Sequence, residues 1–186
     1  MLTPCSNVLF FLIDDLGWKD LSYSGSTFYE TPNIDKLAAD GVKFNRANMA
    51  APRCVSSRVG LMTGQVPFRN KLKGKDGISR SVKLMPEAFK EAGYKTYFAG
   101  KWHLGHDPET YPYARGFDRS FASLLGGASY WSDMFGMLAV HEEVADYVHN
   151  DKKLNSLPDN FYATRSFADF LMQSIRDGRG TGKPFF

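Results

Sequence analysis

The sequence predicts an α/β fold in which helices sandwich a mostly parallel sheet, on three observations. Short apolar runs alternate along the chain with segments of helical spacing. Those helical segments begin near Pro and stop at Gly. The first apolar run, Asn7 to Ile13, contains Val, Ile and Phe without polar interruption, the pattern of a strand buried on both faces of a parallel sheet.

Asp14-Asp15-Leu16-Gly17 ends that first strand. Thr31-Pro32 then offers an N-cap followed by Pro at the first helical position, and a short helix continues from Asn33 to Asp40 before Gly41 stops it. Val42 to Met49 reads as a strand, and Val55 to Met62 as a helix closed by Gly64. Leu84 to Ala92 is a third helix, with Pro86 near its start and Gly93 at its end. Lys95 to Ala99 is a strand that leads into Lys101-Trp102-His103. From Gly105 to Pro158 the pattern dissolves into aromatic, Gly- and Pro-rich sequence, and a loop region of that length builds a site or one of its walls. Asn160 to Asp177 is an amphipathic helix, and Lys183-Pro184-Phe185-Phe186 opens a further strand.

A chain of 186 residues fits one domain or part of a larger one, and 43% hydrophobic residues supply a core. A formal charge of +3, scattered along the chain, argues against a nucleic-acid partner. Most of the positive excess lies between Arg69 and Lys83, which reads as a solvated loop or as a rim that steers an anionic substrate. Two cysteines make no disulfide framework, and Cys5 is expected to fill a small apolar gap instead of pairing with Cys54. The run from Val8 to Ile13 is too short to span a membrane. It also lacks the charged flank of a signal peptide.

The residues that carry chemistry fall into three groups. Asp14 and Asp15 stand where a parallel strand ends, the edge at which open α/β sheets place ligands, and paired carboxylates suit a hard divalent cation. A turn cap and a solvated acid are the plainer reading of the same pair. Cys54 opens a predicted helix, Cys54-Val55-Ser56-Ser57-Arg58-Val59-Gly60-Leu61-Met62-Thr63-Gly64, whose free N–H groups favour an anion. Taken alone, Cys54 is a buried structural thiol or a thiolate nucleophile activated by the helix dipole. Arg58, one turn further, lies on the same side. Lys101 and His103 are two residues apart and share a direction if strand geometry persists, one offering a compact charge and the other a proton carrier near neutral pH. His103 and His106 also form a His-x-x-His pair, but no further zinc ligand follows at helical spacing, and His141 and His149 sit in unpatterned sequence. Trp102, Tyr130 and Trp131 line a pocket or belong to the core.

The segment from Cys54 to Gly64, together with Gly93-Tyr94-Lys95-Thr96-Tyr97-Phe98-Ala99-Gly100-Lys101-Trp102-His103-Leu104-Gly105, resembles the two signature segments of the type I sulfatases. Arg115-Gly116-Phe117-Asp118 and Gly126-Gly127 also look like sulfatase sequence and read as structural. The resemblance runs from Asn7 to Phe186 and corresponds to the N-terminal part of an alkaline-phosphatase-like domain. It implies that Cys54 is oxidised to formylglycine by a formylglycine-generating enzyme or an anaerobic sulfatase-maturating enzyme. It further implies that Asp14, Asp15 and residue 54 hold Ca²⁺, with Mg²⁺ as the alternative, and that Arg58, Lys101 and His103 complete the catalytic set. The implied reaction cleaves a sulfate ester, including that of a sulfated glycan, to an alcohol or phenol plus sulfate. A periplasmic or secreted location accompanies it.

The family motif has Pro or Ala where this chain has Ser56, which leaves open which maturation system acts. The family's later metal and catalytic groups have no counterpart up to Phe186, so this stretch alone is expected to show an incomplete metal site, exposed apolar surface and little activity. The competing readings are a phosphonate monoester or phosphodiester hydrolase of the same superfamily, and a non-catalytic truncated pseudoenzyme.

Overall fold

The computed structural model describes residues 6–68, 77–136 and 144–186. Cys5, His141 and the first part of the basic stretch, residues 69–76, lie outside the described residues. The chain divides into two compact units, one of residues 1–10 with 50–186 and one of Phe11–Met49.

In the larger unit a four-stranded sheet runs β1 (Tyr97–Lys101), β2 (Arg119–Ser123), β3 (Tyr147–His149) and β4 (Lys152–Lys153). β1 and β2 are parallel, with Ala99 opposite Phe121, whereas β2–β3 and β3–β4 are antiparallel. The sheet is therefore mixed at this end. It continues in parallel on the free side of β1, where Lys95 N–H donates to the Pro184 carbonyl and Phe186 N–H to that of Lys95, both at 2.8 Å. Beyond residues 184–186 comes the first segment, whose Val8 N–H donates to the Phe185 carbonyl at 2.8 Å.

Alternation along the strands gives the sheet a core on each face. Ala122 and Val148 enter a cluster with Val59, Leu84, Trp102, Leu104, Phe117 and Leu124. Phe121 and Tyr147 face the opposite way, into a cluster with Ala145, Leu157, Phe161 and Phe167. The first cluster is roofed by α2 (Cys54–Thr63) and α3 (Met85–Glu91), and the second by α4 (Ala163–Gly178). These are the helices that sequence spacing predicts, each shifted by a few residues at its ends. Gly64, in the left-handed region at φ 65°, closes α2 by donating its N–H to the Gly60 carbonyl. Glu87 accepts from the Leu84 N–H at 2.6 Å and so fixes the start of α3.

Three expectations need correction. Residues 7–13 are extended but exposed, Phe11 72% so, and not a strand buried on both faces. Their apolar run is compatible with burial, but burial also needs covering elements, and among the described residues none encloses this segment. Residues 42–49 are irregular and exposed for the same reason, with no partner strand among the described residues. The stretch from Gly105 to Pro158 is not one long loop, because it holds β2, β3 and β4. Arg119-Ser120-Phe121-Ala122-Ser123 carries polar residues on both faces of a buried strand, which conceals it from any hydrophobic pattern.

The Phe11–Met49 unit is organised around α1 (Pro32–Asp40). Thr31 stands at the cap position, but its hydroxyl donates to Asp35 Oδ1 at 2.9 Å and accepts from Ser22 N–H at 3.0 Å. It thus ties the helix to a preceding turn and does not cap it. No residue of this unit is buried.

Candidate active site

Cys54 is the first residue of α2, preceded by Arg53 in an extended conformation at φ −93° and ψ 139°. The first turn closes when Ser57 N–H donates to the Arg53 carbonyl at 2.8 Å. Half-buried Cys54 presents Sγ 3.4 Å from Nδ1 of His103. Arg58, one turn along, is buried, and its Nη1 donates to the backbone carbonyl of Lys101 at 2.5 Å. That bond spends one guanidinium donor on fixing the end of β1 against α2. The structure thus brings Cys54 to His103 and Arg58 to the backbone of Lys101 within the larger unit.

The route by which His103 arrives differs from the expected one. β1 ends at Lys101, and His103 adopts the left-handed backbone at φ 57°, so strand alternation does not extend to it. A non-glycine residue in that region is uncommon and needs its surroundings to hold it there. The residues on either side do so. Trp102 and Leu104 are each 1% exposed, Trp102 N–H donates to the Ser123 carbonyl at 2.8 Å, and the indole N–H donates to the Thr110 carbonyl at 2.9 Å. Trp102 also meets Phe98 edge-on at 5.4 Å between centroids, which makes it a core residue and not a pocket wall. The Thr110 anchor leaves no signal in a single sequence.

Tyr130 and Trp131 are exposed and gather around Tyr162, with centroids 6.0 and 5.1 Å from its ring. Arg115 is structural as read: its guanidinium donates to the carbonyls of Ile78 and Val82 and to Glu87. Asp118 joins Lys90 at 2.8 Å and accepts from Thr96 N–H at 3.1 Å. Burial would raise its carboxyl pKa, but those bonds and the positive charges of Lys90 and Lys95 hold it below the ordinary carboxylate value. His106 is exposed, and His149 on β3 meets the ring of Phe170 edge-on at 5.5 Å.

Asp14 and Asp15 belong to the smaller unit, in the turn that follows the first extended segment, and Asp15 has the left-handed φ of 55°. Their carboxylate oxygens are the donor type that Ca²⁺ or Mg²⁺ takes. Six or more oxygen ligands surround Ca²⁺ as a rule, on the order of three times what two monodentate carboxylates give. Among the described residues no group of three or more His, Cys, Asp or Glu side chains stands together. The donor chemistry of the pair fits a hard cation, but two carboxylates alone do not make its ligand set.

The family model described as Sulfatase matches residues 6–186. The chain belongs to the sulfatase family. Among curated sulfatases, human N-acetylgalactosamine-6-sulfatase is 41% identical over 131 residues, which are 63% of this chain and 25% of that protein. The arylsulfatase of Klebsiella aerogenes is 34% identical over 175 residues, 87% of this chain and 37% of that one. Among solved structures, the crystal structure of Ps i-CgsB in complex with k-i-k-neocarrahexaose matches with a TM-score of 0.80 and 30% identity, covering 93% of this chain and 42% of that chain. This sulfatase chain therefore spans about a quarter to two fifths of the length of these relatives. Among the described residues of the sulfatase chain, no helix is long and apolar enough to cross a membrane.

Proposed function

We propose that the whole protein is a sulfuric ester hydrolase that works through a formylglycine made from Cys54. The observation that carries this reading is the contact of Cys54 Sγ with His103 Nδ1, at the N-terminus of a helix whose Arg58 is bonded to Lys101. Family membership agrees with it.

Converted to the aldehyde hydrate, residue 54 supplies a nucleophilic oxygen for sulfur and a second hydroxyl that allows sulfate to be expelled by elimination. The chain's own residues do the rest. Sγ marks where an oxygen on Cβ would lie, so His103 Nδ1 stands within reach to hold or move the proton there. Lys101 and Arg58 bind and orient the sulfate oxygens, with the α2 N–H groups adding partial positive charge. Asp14 and Asp15 would hold part of the coordination shell of Ca²⁺, or Mg²⁺, which would supply positive charge to stabilise the transferring group.

For substrate we favour a sulfated glycan. The names and ligand of the relatives support it, since one is an N-acetylgalactosamine-6-sulfatase and another is in complex with neocarrahexaose. The basic run from Arg69 to Lys83 supports it too. Maturation falls to a formylglycine-generating or anaerobic sulfatase-maturating enzyme able to read a segment with Ser56.

The test is mass analysis of the Cys54 peptide from the native source, paired with turnover of para-nitrophenyl sulfate and bis(para-nitrophenyl) phosphate by the full-length protein. The expected results are an aldehyde at residue 54, preference for sulfate, and loss of turnover in Cys54→Ala. Arg58→Ala should lower kcat on the order of 100-fold, the usual effect of removing one preorganised donor. An unmodified thiol without sulfate turnover would overturn the proposal, and preference for phosphate would move the protein to the phosphodiester or phosphonate ester branch.

A further inference from the structure

The His103 imidazole has Cys54 Sγ at 3.4 Å from Nδ1, and it also lies against the backbone of Gly126. A Cβ on Gly126 would fall 2.6 Å from Cε1, 2.8 Å from Nε2 and 3.2 Å from Nδ1 of that ring. Gly126 is not among the positive-φ glycines, so its backbone conformation is open to other residues. Space, not conformational freedom, is what a side chain would lack there.

Neither partner can easily withdraw. Two residues before Gly126, Leu124 is fully buried and its N–H donates to the Asp146 carbonyl at 2.8 Å. His103 is pinned between buried Trp102 and Leu104 in a left-handed backbone. An added methyl would push the ring by roughly 1 Å to reach ordinary van der Waals separation, and a shift of that size disturbs the geometry of a 3.4 Å contact.

We propose that Gly126 is a positioning residue, whose missing side chain forms the slot in which the His103 imidazole meets residue 54. Its effect on turnover rests on the sulfatase reading above, whereas its effect on the Cys54–His103 contact does not.

The test is a double-mutant cycle of Gly126→Ala and His103→Ala in the full-length protein, read in two ways. In protein made without a maturating enzyme, the iodoacetamide alkylation rate of Cys54 is followed at one pH by peptide mass, which separates Cys54 from Cys5. A neighbouring imidazole makes a thiol more reactive, so Gly126→Ala should slow alkylation at least about fivefold, and should change nothing once His103 is Ala. In matured protein, Gly126→Ala should lower kcat for a sulfate ester about 10–100-fold per aldehyde, with KM nearly unchanged, and again only while His103 is present.

Equal effects of Gly126→Ala in both backgrounds, or no effect on alkylation, would overturn the proposal. If Gly126→Ala fails to fold while the double variant folds, the clash is with the ring and the proposal stands. If both fail to fold, the glycine serves the backbone and the proposal falls. Absence of sulfate turnover in the matured parent removes the functional reading, while the alkylation cycle still decides the positioning role.

Discussion

Trp102 and Trp18 each lie within a few residues of a proposed site residue, yet the first is 1% exposed and the second 82%. Trp102 is fixed by a hydrogen bond on its indole, a backbone bond to β2 and two aromatic neighbours. Among the described residues, Trp18 has Lys19 over its ring, at 4.8 Å. The contrast extends to the segments around them. Cys54, Arg58 and His103 take their positions from helices and strands that pack on a two-sided core. In the Phe11–Met49 unit, which carries Asp14 and Asp15, local hydrogen bonds such as Ser22–Thr31–Asp35 do the organising, and no side chain is buried. The residues proposed to hold a proton are set by packing on a core, whereas the carboxylates proposed for a cation lie in a unit with no buried residue.

That comparison can be broken by stability measurements. Trp102→Ala should cost about 3–5 kcal/mol in urea unfolding, from lost burial plus the cavity left behind, while Trp18→Ala should stay within about 0.5 kcal/mol. Similar losses in both would show that the smaller unit is packed more tightly than its exposure implies. Arg115→Met comes next, at about 3 kcal/mol, because it strips the buried carbonyls of Ile78 and Val82 and the Glu87 carboxylate of a donor. A near-neutral result would mean that Met repacks there and that the polar bonds contribute little.

A loss smaller than those at Trp102 and Arg115 is expected at Asp118. Its folded pKa is depressed, so its contribution is complete above the ordinary carboxylate value of 3.8 and is lost as pH falls through the lower folded value. Asp118→Asn should therefore cost about 1 kcal/mol at neutral pH, the scale of one net hydrogen bond, with the gap to the parent closing in acid. Urea midpoints taken across acidic pH would check this, and a gap that stays constant would remove the carboxylate from the account.

The helices were legible because their boundaries are written in local chemistry: Pro32 and Pro86 at starts, Gly64 at an end, and an apolar stripe through Phe167 and Phe170. The strands were less so. Asn7 to Ile13 has the composition of a buried strand, but composition carries no information on what covers it. β2 is the reverse case, buried in spite of Arg119, Ser120 and Ser123. In the candidate site, it is the resemblance to the sulfatase signature segments that singles out Cys54, Arg58, Lys101 and His103, since residue types and spacing alone leave plainer readings open. The structure adds the Cys54–His103 contact and the bond from Arg58 to the Lys101 carbonyl. The left-handed turn at His103 and the Thr110 anchor under Trp102 arise from pairings that no local pattern encodes.

Residues 184–186 lie between the first segment and Lys95, bonded to Val8 on one side and to Lys95 and Tyr97 on the other. Among the described residues, residues 7–8 thus reach β1 through a segment made more than 170 residues later, as the bond from Phe185 N–H to Asn7 Oδ1 shows with its separation of 178. Such pairing has high contact order and closes slowly. During vectorial synthesis residues 7–8 must wait, unpaired with 184–186, until nearly the whole described chain has left the ribosome. That wait is the interval in which an apolar edge is open to a chaperone, or to the wrong strand.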